Sequence, residues 1–136
     1  MIKTISTPNA PAAIGPYSQA KVYSGIVYTS GQIPIDPVTG ACAGETIAEQ
    51  AEQAMKNVGA VLEAAGTCFE NVIKTTCFLA DMGDFATFNE IYARYFTSNP
   101  ARSCVAVKTL PKGLLCEVEA IAKIDDPQSP LNIICR

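Results

Sequence analysis

The chain has 136 residues, of which 49% are hydrophobic and 17% are charged; its formal net charge is −3 and it contains no histidine. These values predict one globular domain with a full hydrophobic core, and they exclude an intrinsically disordered chain. The negative net charge, without a lysine- or arginine-rich stretch, argues against a nucleic-acid-binding protein.

The amino-terminal segment resembles neither a membrane span nor a secretory signal. Apolar runs in the chain are far shorter than the roughly 20 residues that a spanning helix needs. The first 20 residues contain three prolines and no sustained apolar core. We therefore expect a cytoplasmic protein without a membrane partner, whose six cysteines remain free thiols. With no Cys-x-x-Cys pair and no histidine, we expect no metal site.

The first half of the chain predicts a β-hairpin, a loop and a helix. The β-prone runs YSQAKVYSG and IVYTSGQI meet at Ser24 and Gly25, which is typical of a hairpin turn. Thr46 and Glu49 have the spacing of a capping box, and Gly66 is placed to end the helix in a left-handed conformation. Between them, apolar residues recur at helical spacing, at Ile47, Ala51, Met55, Val58 and Leu62.

The second half predicts a strand, a second helix and two final strands. NVIKTTCFLA is rich in β-branched residues, as strands are. Asp84 can cap a helix with an apolar stripe, and Pro100 prevents its continuation. The last two strands, about Arg102 to Leu110 and Leu114 to Ile124, are predicted to form a hairpin across PKG.

The resulting order, ββαβαββ, predicts an α+β two-layer sandwich in which two helices cover one face of a mainly antiparallel sheet. The other face is left to solvent or to partner chains. We expect a single domain over residues 1–125 and a tail over residues 126–136, which has two prolines and little periodicity.

Arg102 and Cys104 lie two positions apart in one predicted strand, so their side chains should project from the same face. A guanidinium group can bind a carboxylate with two parallel hydrogen bonds, but surface arginines are common, and the pattern alone favours a solvated charge. A nucleophilic thiol needs a neighbouring base or cation, and the chain has no histidine. We therefore expect Cys104 to be a half-buried strand residue and not a nucleophile.

Glu117 and Glu119 lie on the mixed face of the last strand, where two carboxylates serve either acid–base chemistry or a solvated surface. In the predicted hairpin, Glu117 pairs near Ala106, several residues from Arg102. At about 3.3 Å per residue this separation exceeds roughly 10 Å. If Glu117 and Arg102 share a pocket, a second chain supplies one of them.

Four further residues have an ordinary explanation beside a functional one. Gly31, after Ser30, would let a ligand approach the backbone, but glycines are also common in turns. Tyr17 is either a pocket wall or a core aromatic residue. Asn89 lies one position off the stripe of the second helix, where most side chains are simply exposed.

Six stretches carry a family resemblance. They occur in order between Thr4 and Ala122, as NAPAAIGPYSQA, TSGQIP, AEQAMKNVGAVLEAAG, VIKTTCFLADMGDFATFNEIY, PARSCVAVKTLPKG and CEVEAIA. Together they resemble the YjgF/Rid family, and most closely its reactive intermediate deaminase A group. Two features depart from the family pattern: Cys116, where an aliphatic residue is usual, and the tail from Asp126 to Arg136.

The resemblance implies a chorismate-mutase-like fold and a cofactor-free homotrimer with pockets between adjacent subunits. It also implies hydrolysis of reactive 2-enamines and 2-imines, such as 2-aminoacrylate and 2-aminocrotonate, to 2-oxo acids and ammonia. Pyridoxal-phosphate-dependent serine and threonine dehydratases would release these substrates.

By position, the resemblance implies that Arg102 binds the substrate carboxylate, Glu117 assists the attacking water and Cys104 lines the pocket. The remaining pocket positions fall on Tyr17, Ser30, Gly31 and Asn89. Two other functions remain open: a non-catalytic regulator that binds small acids in the same pocket, and an endoribonuclease or translation inhibitor, which the negative charge disfavours.

Overall fold

A computed structural model gives the structure of the chain and describes residues 1–126 and 134–135. Within these residues the chain forms six strands and two α-helices. In chain order they are β1 (Lys3–Ile5), β2 (Ala20–Tyr23), β3 (Ile26–Thr29), α1 (Ile47–Ala64), β4 (Val72–Leu79), α2 (Phe85–Tyr95), β5 (Ala101–Ala106) and β6 (Cys116–Lys123).

The strands form one sheet in the order β1-β2-β3-β6-β4-β5. Every neighbouring pair is antiparallel except β4 and β5, which run parallel. The α+β class and the mainly antiparallel sheet are therefore confirmed, with one strand more than predicted. That strand, β1, has only three residues, two of them exposed, so it is too short to show an alternating pattern.

The β2–β3 hairpin is confirmed. Its two strands pair with Tyr23 opposite Ile26, which leaves Ser24 and Gly25 as a two-residue turn. Both turn residues have positive φ, 51° for Ser24 and 75° for Gly25. Two positive φ angles characterise the turn whose twist matches that of the flanking strands, and glycine adopts such angles without strain.

The predicted hairpin between the last two strands is wrong, because β4 lies between them. β5 is parallel to β4 on one side, and β6 is antiparallel to β4 on the other. Helix α2 returns the chain to the starting end of β4, so the next strand runs parallel to it. The central position of β6 also buries its inward-facing side chains, each at most 1% exposed, at Cys116, Val118, Ala120 and Ala122.

Helix α1 begins and ends as predicted. The Thr46 hydroxyl accepts from the Glu49 backbone nitrogen at 3.2 Å, and the Glu49 carboxylate accepts from the Thr46 backbone nitrogen at 3.3 Å. Gly66 follows the helix with a φ of +86°. Asp84 does precede α2, but its side chain makes no capping hydrogen bond. Instead, Asp81 accepts from the Gly83 backbone nitrogen at 2.8 Å in the preceding turn.

The core lies between the sheet and the two helices, which pack side by side on one face of the sheet. It contains buried residues of α1, α2 and the central strands, among them Val58, Phe88 and Val118. In the described part of the chain, no helix combines the length and the apolar character that crossing a bilayer requires.

The expectation that all six cysteines are free is wrong, because Cys68 and Cys135 form a disulfide with their Cα atoms 5.8 Å apart. The expectation rested on the cellular compartment, whereas the pairing follows from the path of the chain. The Asp125 carboxylate accepts from the backbone nitrogens of Ile134 and Cys135, at 3.1 and 2.9 Å, and so holds the tail beside Cys68. Residues 127–133 and 136 of the predicted tail lie outside the described residues.

Candidate active site

The candidate residues fall into two groups on opposite faces of the sheet. Arg102 lies opposite Thr75 of β4, and Glu117 lies opposite Phe78 of the same strand. Residues opposite each other share a face, and Thr75 and Phe78 are three positions apart, so Arg102 and Glu117 point to different faces. Since β4 also separates their strands, the two side chains cannot meet within one chain.

The predicted pairing of Glu117 near Ala106 is therefore wrong. Glu117 lies opposite Phe78 of β4. It is kept apart from Arg102 by β4 and by the opposite faces of the sheet, not by distance along a hairpin. We call Tyr17, Ser30, Gly31 and Glu117 the glutamate group. We call Asn89, Arg102 and Cys104 the arginine group.

The glutamate group lines a cavity of ≈ 730 Å³, together with Lys112 and part of the amino-terminal segment. Ser30 and Gly31 follow the end of β3, and the next residue, Gln32, forms a bridge to Val118 of β6. Its two backbone hydrogen bonds measure 2.7 and 3.0 Å. This bridge holds the Ser30-Gly31 backbone against the strand that carries Glu117.

A side chain at Gly31 would displace the Glu117 carboxyl group. A Cβ atom at this position would lie 2.7 Å from the Glu117 Cδ atom, well inside van der Waals contact. From the sequence alone, Gly31 is either a place for a ligand to approach the backbone or an ordinary turn glycine. In the structure the group that approaches is the Glu117 carboxylate, so the glycine makes room for the acid itself.

Glu117 is half-buried, and burial raises the pKa of its carboxyl group, with a smaller contribution from the negative charge of Glu119. A carboxyl group with a raised pKa exchanges its proton closer to neutral pH than an exposed one does. Glu117 can therefore both accept and return a proton during a reaction.

The other two members of the glutamate group support the cavity in different ways. The Ser30 hydroxyl donates to the Ser18 carbonyl oxygen at 2.6 Å, which ties the end of β3 to the segment that carries Tyr17. The Tyr17 ring is 53% exposed, and its hydroxyl accepts from the Ile14 backbone nitrogen at 3.3 Å. Tyr17 is therefore a wall residue with a free ring face, not a core aromatic residue.

Two buried amides that the sequence analysis did not single out hold the cavity walls. The Gln19 side chain donates to three carbonyl oxygens of residues 7–11, at 2.8, 3.0 and 3.3 Å. The Asn57 side chain donates to the carbonyl oxygens of residues 33 and 35, both at 2.9 Å. Asn57 could have been found, because it lies three residues after Ala54 and four before Val61 on the apolar face of α1.

The arginine group is assembled by β5 and α2. The Arg102 Nη1 atom donates to the Asn89 Oδ1 atom at 2.6 Å. The guanidinium carbon lies 4.6 Å from the centre of the Tyr92 ring and 5.5 Å from that of Phe85. Arg102 is thus held by α2 and is not the solvated charge that the pattern alone favoured. Asn89 is half-buried by the same contact.

Cys104 shares the face of Arg102, as the strand period predicts, since it lies opposite Cys77 of β4. Burial raises the pKa of its thiol, although the positive charge of Arg102 opposes this shift. A neutral, half-buried thiol is a poor nucleophile. The structure gives Cys104 the surroundings of a lining residue.

Residues 1–126 and 134–135 contain no group of three or more cysteine, aspartate, glutamate or histidine side chains that could hold a metal ion.

Comparison with known proteins places the chain in a family. The family described as Endoribonuclease L-PSP matches residues 7–124. A human 2-iminobutanoate/2-iminopropanoate deaminase is 54% identical over 121 residues, 88% of this chain and 88% of the relative. AldR of Lactococcus lactis, named as a candidate regulator, is 51% identical over 124 residues, 90% of this chain and 98% of the relative.

A solved structure, that of E. coli TdcF with bound serine, superimposes with a TM-score of 0.85. It is 45% identical, and the match covers 89% of this chain and 98% of TdcF. Sequence and fold agree over almost the same residues, so the chain belongs to the YjgF/Rid family, whose description is Endoribonuclease L-PSP.

Proposed function

We propose that the chain is a hydrolytic deaminase that converts reactive 2-enamines and 2-imines into 2-oxo acids and ammonia. Its site forms where the glutamate group of one copy meets the arginine group of another. The observation that carries this proposal is the placement of Glu117 and Arg102 on opposite faces of one sheet, with β4 between their strands. The deaminase name of a relative that is 54% identical supports the reaction.

A homotrimer is the assembly that we propose. The sheet face away from the helices carries apolar side chains that the described residues leave exposed, among them Tyr28 and Val105, each 47% exposed. A subunit that covers this face stabilises the assembly through the apolar area it buries. Arg102 lies on β5, at the edge of the sheet, where a neighbouring copy can bring its own cavity against it.

In the proposed complex, Arg102 holds the substrate carboxylate with two charge-assisted hydrogen bonds. Asn89 orients the guanidinium group in its plane. The Tyr17 ring and the Cys104 thiol contact the short alkyl chain of the substrate. The Gly31 backbone amide donates a hydrogen bond to the substrate. Together these contacts fix the imine carbon in one orientation, which lowers the entropic part of the barrier to attack.

Glu117 is the group that moves protons. Its carboxylate accepts a proton from a water molecule as the water oxygen bonds to the imine carbon. The resulting tetrahedral carbinolamine carries a hydroxyl and an amino group on one carbon. Glu117 returns the proton to the nitrogen and accepts the hydroxyl proton as the carbon–nitrogen bond breaks, so that a 2-oxo acid and ammonia leave and the ammonia takes up the proton from Glu117. Because a protonated imine is already electrophilic, the reaction does not need the Cys104 thiol as a nucleophile.

The test uses threonine dehydratase to generate 2-aminocrotonate and follows 2-oxobutanoate formation. Wild-type protein should accelerate the release, and Arg102→Ala should lower kcat/KM by at least about 100-fold, because two charge-assisted hydrogen bonds are lost. Arg94→Ala is the matched control, since Arg94 is an exposed arginine near the end of α2 and should leave the rate unchanged.

Equal rates for wild type and Arg102→Ala would contradict the proposal. Calorimetric binding of 2-oxobutanoate without turnover would instead support a small-acid regulator, a role that the name of AldR suggests for that relative. RNA binding that weakens with salt and is lost in Arg102→Ala would support the endoribonuclease alternative.

A further inference from the structure

We infer that Tyr92 and Thr75 are positioning residues for Arg102: their buried hydroxyl pair holds the ring on which the guanidinium group stacks. This inference rests on the proposed function, in which Arg102 binds the substrate carboxylate. It assigns a role in that reaction to two residues that do not themselves reach the substrate.

The hydroxyl pair lies directly behind Arg102. Thr75 is 0% exposed and sits opposite Arg102 in the β4–β5 pairing, so both side chains point to the same face. The Thr75 Oγ1 atom lies 2.7 Å from the Tyr92 hydroxyl oxygen, and either oxygen can donate. This hydrogen bond links the strand beside Arg102 to the helix that covers it.

The Tyr92 ring is restrained on its other side as well. It stacks on Phe96 with ring centres 4.5 Å apart, and it contacts Phe88 at 6.1 Å. A ring packed between aromatic neighbours and anchored at its hydroxyl has little freedom to tilt. The Arg102 guanidinium group, 4.6 Å from the ring centre, therefore rests on a rigid surface.

Two restraints at different angles define the position of the guanidinium group. Asn89 holds one of its nitrogens within the plane, and Tyr92 holds the plane from its face. In the described part of the chain, the groups in contact with the guanidinium are neutral, namely one amide oxygen and two aromatic rings. The positive charge is positioned without being neutralised, as a carboxylate-binding arginine requires.

A purely structural role for the pair is the competing explanation, because buried hydroxyls must find partners wherever they occur. The two roles differ in what they do to the reaction. Loss of stability lowers the amount of folded enzyme, and hence the apparent kcat, without changing KM. A displaced carboxylate-binding group weakens binding of the substrate and raises KM.

The experiment compares Tyr92→Phe, which removes only the tyrosine hydroxyl, with Thr75→Val, which removes the threonine hydroxyl that is its hydrogen-bond partner. Each should raise KM for 2-aminocrotonate by about 3- to 10-fold, the fold-change that corresponds to one lost hydrogen bond. The Kd for 2-oxobutanoate should rise by the same factor, and kcat should change by less than about twofold. Thr75→Ser keeps the hydroxyl and should restore KM.

Thr67→Val is the matched control. Thr67 is a buried threonine whose hydroxyl donates to the Lys123 carbonyl oxygen at 2.6 Å, away from Arg102. This substitution loses that hydrogen bond and the one that the Thr67 hydroxyl accepts from the Asn71 side-chain nitrogen at 3.2 Å, and it should lower the unfolding midpoint without changing KM. A similar rise in KM in this variant would contradict the positioning role.

A double-mutant cycle shows whether the effect passes through Arg102. In an Arg102→Lys background, the ammonium group has no plane to stack on the ring, so Tyr92→Phe should cause no further change in KM. An undiminished effect in that background overturns the inference. A wild-type KM for Tyr92→Phe also overturns it, while loss of activity in Arg102→Ala leaves the proposed function standing. If wild-type protein shows no turnover, the proposed function fails, and the 2-oxobutanoate Kd still tests the positioning role.

Discussion

At the scale of single residues, the protonation of Glu117 decides when the proposed reaction can proceed. As a base it must be ionised, and burial together with Glu119 raises its pKa above the ordinary value of 4.5. Lowering the pH therefore protonates Glu117 sooner than it would protonate an exposed carboxylate. Activity should fall as the pH drops through this raised pKa, and it should be fully present above it.

Glu119→Gln tests this assignment. Removing the negative charge of Glu119 lowers the pKa of Glu117, so the acidic limb of kcat/KM should move to lower pH. Burial, the larger cause of the raised pKa, is unchanged, so the substitution should remove only part of the shift. The measurement is a kcat/KM profile between about pH 4 and 8, corrected for the rate without enzyme.

Glu63→Gln provides the control, since Glu63 is exposed on α1 and should leave the profile unchanged. An acidic limb that stays at the same pH in Glu119→Gln, or activity that rises on acidification, would contradict the role of Glu117 as a base.

At the scale of elements, the sequence predicted what local chemistry determines. Helix α1 was predicted from a capping box at its start and a glycine just after its end. The β2–β3 hairpin was predicted from its two turn residues. The pairing of β5 and of β6 with β4 was not predicted, because it depends on where α2 returns the chain and on which strand α1 covers. Neither of these two features is local, so the spacing of apolar residues along the sequence does not reveal them.

The Cys68–Cys135 disulfide is a second element-scale feature that spacing did not reveal. It closes a separation of 67 residues and attaches the carboxyl-terminal segment to the turn after α1. Closing a long loop removes entropy from the unfolded chain, so the bond should contribute about 2–4 kcal/mol to the free energy of unfolding.

Cys135→Ser should therefore lower the midpoint of urea unfolding under non-reducing conditions, and a reducing agent should lower that of the wild type equally. Cys42→Ser should have no effect, because Cys42 is a free, exposed cysteine. Wild-type midpoints that are the same with and without reductant would show that the bond contributes nothing.

At the scale of the whole molecule, the site itself could be predicted only in part. The residue types at Arg102 and Glu117 suggested their chemistry, and the family resemblance supplied their roles. Their division between two faces required the register of both strands against β4. The restraints behind Arg102 depend on α2 packing over β5, which no spacing in the sequence reveals.

The central claim is that one copy supplies Glu117 and another supplies Arg102, and subunit mixing tests it most directly. Arg102→Ala and Glu117→Gln chains are co-expressed with different affinity tags, and hybrids are isolated through both tags in turn. Each variant alone should be nearly inactive. Within a hybrid, a pocket that takes Glu117 from the Arg102→Ala chain and Arg102 from the Glu117→Gln chain contains both residues intact.

The control mixes wild-type chains with chains that carry both substitutions, to show that hybrids assemble and to calibrate the activity of a partly mutated assembly. In a closed ring of three chains isolated through both tags, either mixed composition has one pocket in three with both residues intact, so the hybrids should restore about a third of the wild-type activity. Hybrids with no more activity than the two variants measured separately would contradict the account, since the site would then lie within one chain.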